Sequence, residues 1–285
     1  MPDTTAIRDD HAASQPWQAS LTLGFALDGS TTRLYDNLHV GPLRVQKALY
    51  PEGDKVCHAI IVHPPGGVVG GDQLSIVASV AANAHALLAT PGAAKWYKAN
   101  GKISRQQVRL DVAAGGALEW LPQETIFFDT AHVQLEQEIR LGAAAHYLGC
   151  EILCMGRRSS GEVYASGCVR QRSSIYLDGK LIWWEQGALL GGQLDSPLSM
   201  QGQTVCATFL AAGRQVPAPL LAEIRNDIAA DGEHQFGITQ TRGVLVARHL
   251  GNDSETARRL MLAVWYRLRP FFLQRSAVMP RIWQT

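Results

Sequence analysis

His63 to Lys98 reads HPPGGVVGGDQLSIVASVAANAHALLATPGAAKWYK, and its rhythm of corner, strand and corner decides how the rest of the chain is read. Pro64 and Pro65 fix φ and remove two backbone donors. Gly66, Gly67, Gly70 and Gly71 permit positive φ or the close approach of another backbone. Asp72 closes this corner with a carboxylate. Gln73–Val80 then alternates apolar and polar residues, as a strand buried on one face does. Thr90, Pro91 and Gly92 form a second corner, followed by Lys95 beside Trp96 and Tyr97. Taken alone, such corners are tight turns between strands. A phosphate-binding loop is excluded. Gly66 and Gly71 have the required gap, but Asp72 stands where the lysine must sit, and no Ser or Thr follows.

Working outward, short alternating stretches recur over the first two hundred residues. They are 19–27, 43–47, 58–62, 73–80, 107–112, 125–128, 134–141, 147–155, 173–177 and 181–185. Glycine-rich corners such as Ala114-Gly115-Gly116 and Asp178-Gly179 separate them. Many short strands punctuated by turns mean a sandwich, a barrel or a solenoid, and periodicity does not choose among the three. Two helices are legible in the C-terminal third. Pro217 and Pro219 precede Leu220, Ile224 and Ile228 on one face, and Gly232 is placed to cap the end. Later, Asn252 to Ser254 offer N-caps to a stripe of Ala257, Leu260, Met261, Val264 and Leu268, which Pro270 is expected to stop.

The chain has 285 residues and a net charge of +1, so no global field favours nucleic acid or a membrane surface. No apolar run reaches the roughly 20 residues that span a bilayer, and no export signal opens the chain. Five cysteines at irregular spacing then read as reduced thiols in a cytoplasmic protein. Residues 1–15 are polar and read as a disordered N-terminal tail, leaving 16–285 as a single domain. Arginines crowd toward the end (Arg242, Arg248, Arg258, Arg259, Arg267, Arg269, Arg275 and Arg281) with aromatic residues between them. Arg258, Arg259 and Arg267, off the helical stripe, and Trp283 are the candidates for docking a protein partner. Lys95 reads as a surface cation stacked on its aromatic neighbours.

His146, Cys150 and Cys154 would approach a common metal on a helix, at about 6 Å per step. Their neighbours favour a strand, where the same spacing is about 13 Å. Buried thiols are the better reading, and no tight structural metal site is expected. Glu151 then points to the opposite face of that strand, with Tyr147 and Leu153. A carboxylate amid apolar residues must be paired or must line a wet cavity. Glu185, after Leu181-Ile182-Trp183-Trp184, repeats the pattern. Asp72, Glu124 and Asp129 are further acids in apolar settings, and together they point to a polar track inside a β body. His58 and His63 lie near the glycine-rich corner.

The ordered set HPPGGVVGGD, TPGAAKWYK (Thr90–Lys98), LEWLPQETIFFD (Leu118–Asp129) and PRIWQT (Pro280–Thr285) resembles the urease accessory protein UreD family, called UreH in some systems. GPLRVQKALYPEG (Gly41–Gly53) and MGRRSSGE (Met155–Glu162) also fit, so the resemblance runs from about Trp17 to the end. Ala89 and Ala94 depart from it, standing where hydroxyl residues are common. The resemblance implies a mainly β, layered, β-solenoid-like body of short strands with few helices. It also implies a non-catalytic urease maturation factor that binds the urease apoprotein and UreF, with the nickel-carrying GTPase UreG joining through UreF. Nickel would pass transiently, with no tightly bound cofactor, along an internal polar path to a urease site built around a carbamylated lysine. Asp72, Glu151, Glu185 and His63 are the candidates here for that lining. The alternative is a carboxylate-based hydrolase on a β-solenoid, for which no residue spacing fixes two acids at a short distance.

Overall fold

Alternating and uninterrupted apolar stretches build two stacked sheets. The computed structural model describes residues 17–228 and 235–284. The chain begins with strands β1 (Gln18–Asp28), β2 (Thr31–Val40), β3 (Arg44–Leu49) and β4 (Cys57–Val62). Three coils follow. The first holds β5 (Gln73–Val80), β6 (His85–Ala89) and β7 (Ala94–Trp96). The second holds β8 (Ser104–Val112), β9 (Ala117–Leu121) and β10 (Thr125–Phe127), and the third β11 (His132–Leu141) and β12 (His146–Met155). Next come β13 (Cys168–Leu177), β14 (Lys180–Leu190), β15 (Val205–Ala212) and helix α1 (Ala218–Ile228). Strands β16 (Gln235–Thr241) and β17 (Val244–Gly251) and helix α2 (Ser254–Leu273) follow.

One sheet runs β14-β13-β11-β8-β5-β1-β2 and the other β16-β17-β15-β12-β9-β6-β4-β3, with β7 and β10 attached beside β12. Strands β5, β8, β11 and β13 pair in parallel, as do β6, β9 and β12. This is a β-solenoid of about four turns, with both helices in the C-terminal third, as the resemblance implies. Ala86, Leu88, Trp120 and Tyr147 of the second sheet face the first. Leu87, Leu121, Leu148 and Ile152 face the helices on its other side. The second sheet is therefore covered twice, and β6 and β9 are buried at every position. Strands covered on both faces lose their alternation, which is why β6 and β9 escape a reading keyed to period two. The β structure also extends past residue 200, through β15, β16 and β17.

Helix α2 starts where expected, with the Asp253 carboxylate accepting the Thr256 N–H at 2.8 Å. Every residue of its expected stripe is buried. Pro270 does not stop it, and the helix runs on to Leu273. The missing N–H of Pro270 falls in the last turn at an exposed position. Burial of Leu268, Arg269 and Phe272 holds the turn in place. The expected Gly232 cap and the 1–15 tail lie outside the described residues.

The proline–glycine corners stack along one edge of the solenoid. Val68 N–H donates to the Lys95 carbonyl and Tyr97 N–H to that of Val68, both at 2.8 Å. Ala94 N–H reaches the Glu124 carbonyl and Phe128 N–H that of Trp96, both at 2.9 Å. Successive coils thus meet backbone to backbone, and Gly70 is where they come closest: a Cβ there would lie 1.8 Å from the Ala99 carbonyl oxygen. Asp72 locks the first corner, its carboxylate accepting the N–H of Trp17 and that of Val69, each at 3.0 Å. The Thr90 hydroxyl accepts the Gln123 N–H at 2.9 Å and donates to the Gly92 carbonyl.

Candidate functional site

The inner faces of the two sheets are not wholly apolar. Register places Gln106 of β8 beside Leu135 of β11, and Leu135 beside Gln171 of β13. Glu151 of β12 faces this row from the second sheet. Around these residues lies a cavity of about 230 Å³. His63, Thr90, Lys95 and Gln123 line it near the stacked corners, and Glu151 and Gln171 line it inside. A second cavity of about 590 Å³ continues toward the β14 and β17 side, lined by Gln171, Glu185, Cys206, Thr208 and Arg248.

The structure therefore brings three of the four sequence-derived path candidates onto two adjoining cavities. Glu151 accepts a hydrogen bond from the Gln171 amide. Glu185 is paired with Arg248 at 2.5 Å. His63 lines the first cavity, and burial lowers its pKa against the opposing pull of Asp72. Asp72 is not among the lining residues, and both of its oxygens are engaged by backbone N–H groups. A substitution there tests the corner before it tests any path.

Burial pushes the Glu151 carboxyl up to about 7. The Gln171 hydrogen bond opposes that rise and the negative charge of Glu185 adds to it. The native state thus keeps this proton to higher pH than the unfolded chain, whose reference is 4.5. Stability is undiminished below about pH 4.5 and is lost as pH rises through 7. Glu151→Gln is accordingly expected to stabilise the protein at pH 8 by up to about 3 kcal/mol. The gain should vanish near pH 4.5, and urea melts at the two pH values read it directly.

The remaining candidates take other positions. Lys95 lines the cavity mouth, and the cation stacked at that corner is Arg157, 4.3 Å from the centre of the Phe128 ring. Arg258 pairs with Glu124, and Arg267 with Asp227 of α1 at 2.7 Å. Trp283 donates its indole N–H to the Thr90 carbonyl at 2.9 Å. Arg258 and Trp283 bind the C-terminal segment to the body and Arg267 ties α2 to α1, while Arg259 lies exposed on α2. Asp129 accepts the N–H groups of Ala165 and Ser166. Cys150 and Cys154 are buried on the helix side of β12, as a strand requires, and no cluster of three potential metal ligands occurs among the described residues.

One buried charge cluster escaped the sequence reading. Arg269, set among the arginines of a docking face by sequence alone, is fully buried between α2 and the second sheet. Its guanidinium meets Glu119 at 2.9 Å and Glu52 at 2.7 Å. His85 and the Trp265 indole also reach Glu119, at 2.8 and 2.6 Å, and His58 reaches Glu52 at 2.7 Å. Burial alone would raise the Glu119 pKa, yet the contacts with His85 and Arg269 hold it down to about 2. The signal was present: Glu119 interrupts the apolar run Ala117–Leu121, and Arg269 lies four residues after Trp265 on the buried stripe.

These features describe a β-solenoid whose cavities are lined in part by polar side chains, with a helical layer riveted behind one of its sheets. A family model described as "UreD urease accessory protein" matches residues 18–284. The urease accessory protein UreD of Janthinobacterium sp. (strain Marseille) is 57% identical over 94% of this chain and 92% of its own length. That of Nitrosospira multiformis is 48% identical over 96% and 100%, and that of Dechloromonas aromatica 47% over 95% and 96%. The chain belongs to the UreD family of urease accessory proteins.

Proposed function

We propose that this chain is a non-catalytic urease maturation factor of the cytoplasm. It docks on the urease apoprotein together with UreF, with UreG joined through UreF, and lets nickel pass between its two sheets toward the urease site. The observation that carries this reading is Glu151, a carboxylate that lines the first of two adjoining cavities and accepts a hydrogen bond from Gln171, which lines both. Nickel takes nitrogen and oxygen ligands in open geometries. An imidazole, amides and separated carboxylates offer such ligands without the closed cage that would trap the ion. Family membership supports the urease partner, and no helix among the described residues is long and apolar enough to cross a membrane.

The test is urease activity and bound nickel in cells that express a urease operon with this gene intact, deleted or carrying Glu151→Ala. Deletion is expected to abolish both readouts. Glu151→Ala is expected to lower activation at least tenfold while the purified variant keeps its circular dichroism spectrum. Full activity without the gene would remove the maturation role. Full activity with Glu151→Ala would remove the path. Hydrolysis of a glycoside by the isolated chain would instead support the hydrolase alternative.

A further inference from the structure

We infer that Gln171 meters the divalent cation: it stands where the inner cavity meets the outer one and keeps the resting place at Glu151 a single-carboxylate site. This inference rests on the reading of the interior as a cation path. Gln171 is the residue that the linings of the two cavities share. It sits on the inward face of β13, held by parallel pairing to Leu135 of β11 and antiparallel pairing to Gly187 of β14. Its side-chain N–H₂ donates to Glu151 across the gap between the sheets. This contact therefore lies where the linings of the two cavities meet.

The chemistry of the contact sets the strength of the stop. An amide nitrogen donating to Glu151 leaves the Gln171 carbonyl oxygen as a neutral ligand beside one negative charge. Affinity of oxygen ligands for a divalent cation rises with the number of charged ligands. One carboxylate with one neutral oxygen holds an ion briefly, whereas two carboxylates would hold it firmly. The other carboxylates of the two linings do not act as that second charge, because Arg172 engages Glu136 at 3.0 Å and Arg248 engages Glu185 at 2.5 Å. Thr208, the cross-strand neighbour of both Glu151 and Arg248, adds no charge between them. A glutamine at this point therefore suits transit, and a glutamate in its place would make a trap.

The experiment measures nickel binding to the purified full chain by equilibrium dialysis at pH 8, and its release to a chelator. Gln171→Glu is expected to tighten nickel binding at least tenfold and to slow release, while urease activation in cells falls. Gln171→Leu removes both the neutral ligand and the donor to Glu151, and is expected to weaken nickel binding several-fold. Circular dichroism and thermal melts check that each variant folds. If Gln171→Glu does not fold, the leucine variant decides. If Glu151→Gln weakens nickel binding but the Gln171 variants bind as wild type does, the metering role is wrong and the path stands. If neither the wild type nor any variant binds nickel, or if Glu151→Gln binds it unchanged, the path reading itself falls and the inference falls with it.

Discussion

Arg269→Met is expected to destabilise the protein by about 4 kcal/mol, a large part of the roughly 5–15 kcal/mol that separates folded from unfolded chains. The guanidinium of Arg269 is fully buried and contacts both Glu119 and Glu52. Methionine matches much of its length but leaves two buried carboxylates facing each other without their cation. His58 and His85 still donate to them, and this limits the damage without neutralising both acids. The penalty comes mainly from the charge left behind, so Arg269→Met combined with Glu119→Gln should recover part of the loss. Urea denaturation of the three proteins measures it, and equal stability of Arg269→Met and wild type would remove the rivet role. The acid limb adds a check. Glu119 titrates below its reference of 4.5, so its contribution is complete above that pH and is lost as pH falls toward about 2. In the double variant this part of the acid dependence should disappear.

Gly70→Ala is the second large effect. A Cβ at this position would lie 1.8 Å from the Ala99 oxygen, 2.5 Å from its carbonyl carbon and 2.7 Å from its Cα. All three are backbone atoms, so no side chain can swing away. The corner must separate from the coil below it, which threatens the Val68–Lys95 and Tyr97–Val68 hydrogen bonds. A loss of more than about 3 kcal/mol is expected. Gly92→Ala is the matched control: nothing lies within 4 Å of its Cβ position, and it should shift stability by no more than about 0.5 kcal/mol. Thermal melts that place the two variants together would show that the corners do not need close backbone contact.

Glu151 and the Arg269 cluster differ in how legible they are. Glu151 is legible because β12 alternates its partners: cysteines and leucine on one side, tyrosine and the acid on the other. The same rule applied to Ala117–Leu121 would have found Glu119, but the residues around it are apolar on both faces of β9 and offer no alternation to say which side the acid takes. Arg269, an arginine among arginines, looks like surface in the sequence and is buried in the structure. Its position four residues after Trp265 shows the buried side only once α2 is known to run through Pro270. Asp72 was seen as an acid in a strained corner, and the structure gives its carboxylate to two backbone N–H groups.

The β character, the positions of the corners, the starts of both helices and the family are legible along the chain. These follow from local rules: turn chemistry, alternation on a half-buried strand, caps, and an ordered set of motifs. Folding alone sets which strands lie in which sheet, that the second sheet is covered twice, that Glu151 meets Gln171 across the interior, and that Arg269 closes a charge cluster with Glu52 and Glu119. The physical reason is sequence separation. Gln171 lies 20 residues from Glu151, and Arg269 lies 150 from Glu119 and 217 from Glu52. Contacts of that span are set by how coils stack and how a helix settles on them, and no local periodicity encodes that placement.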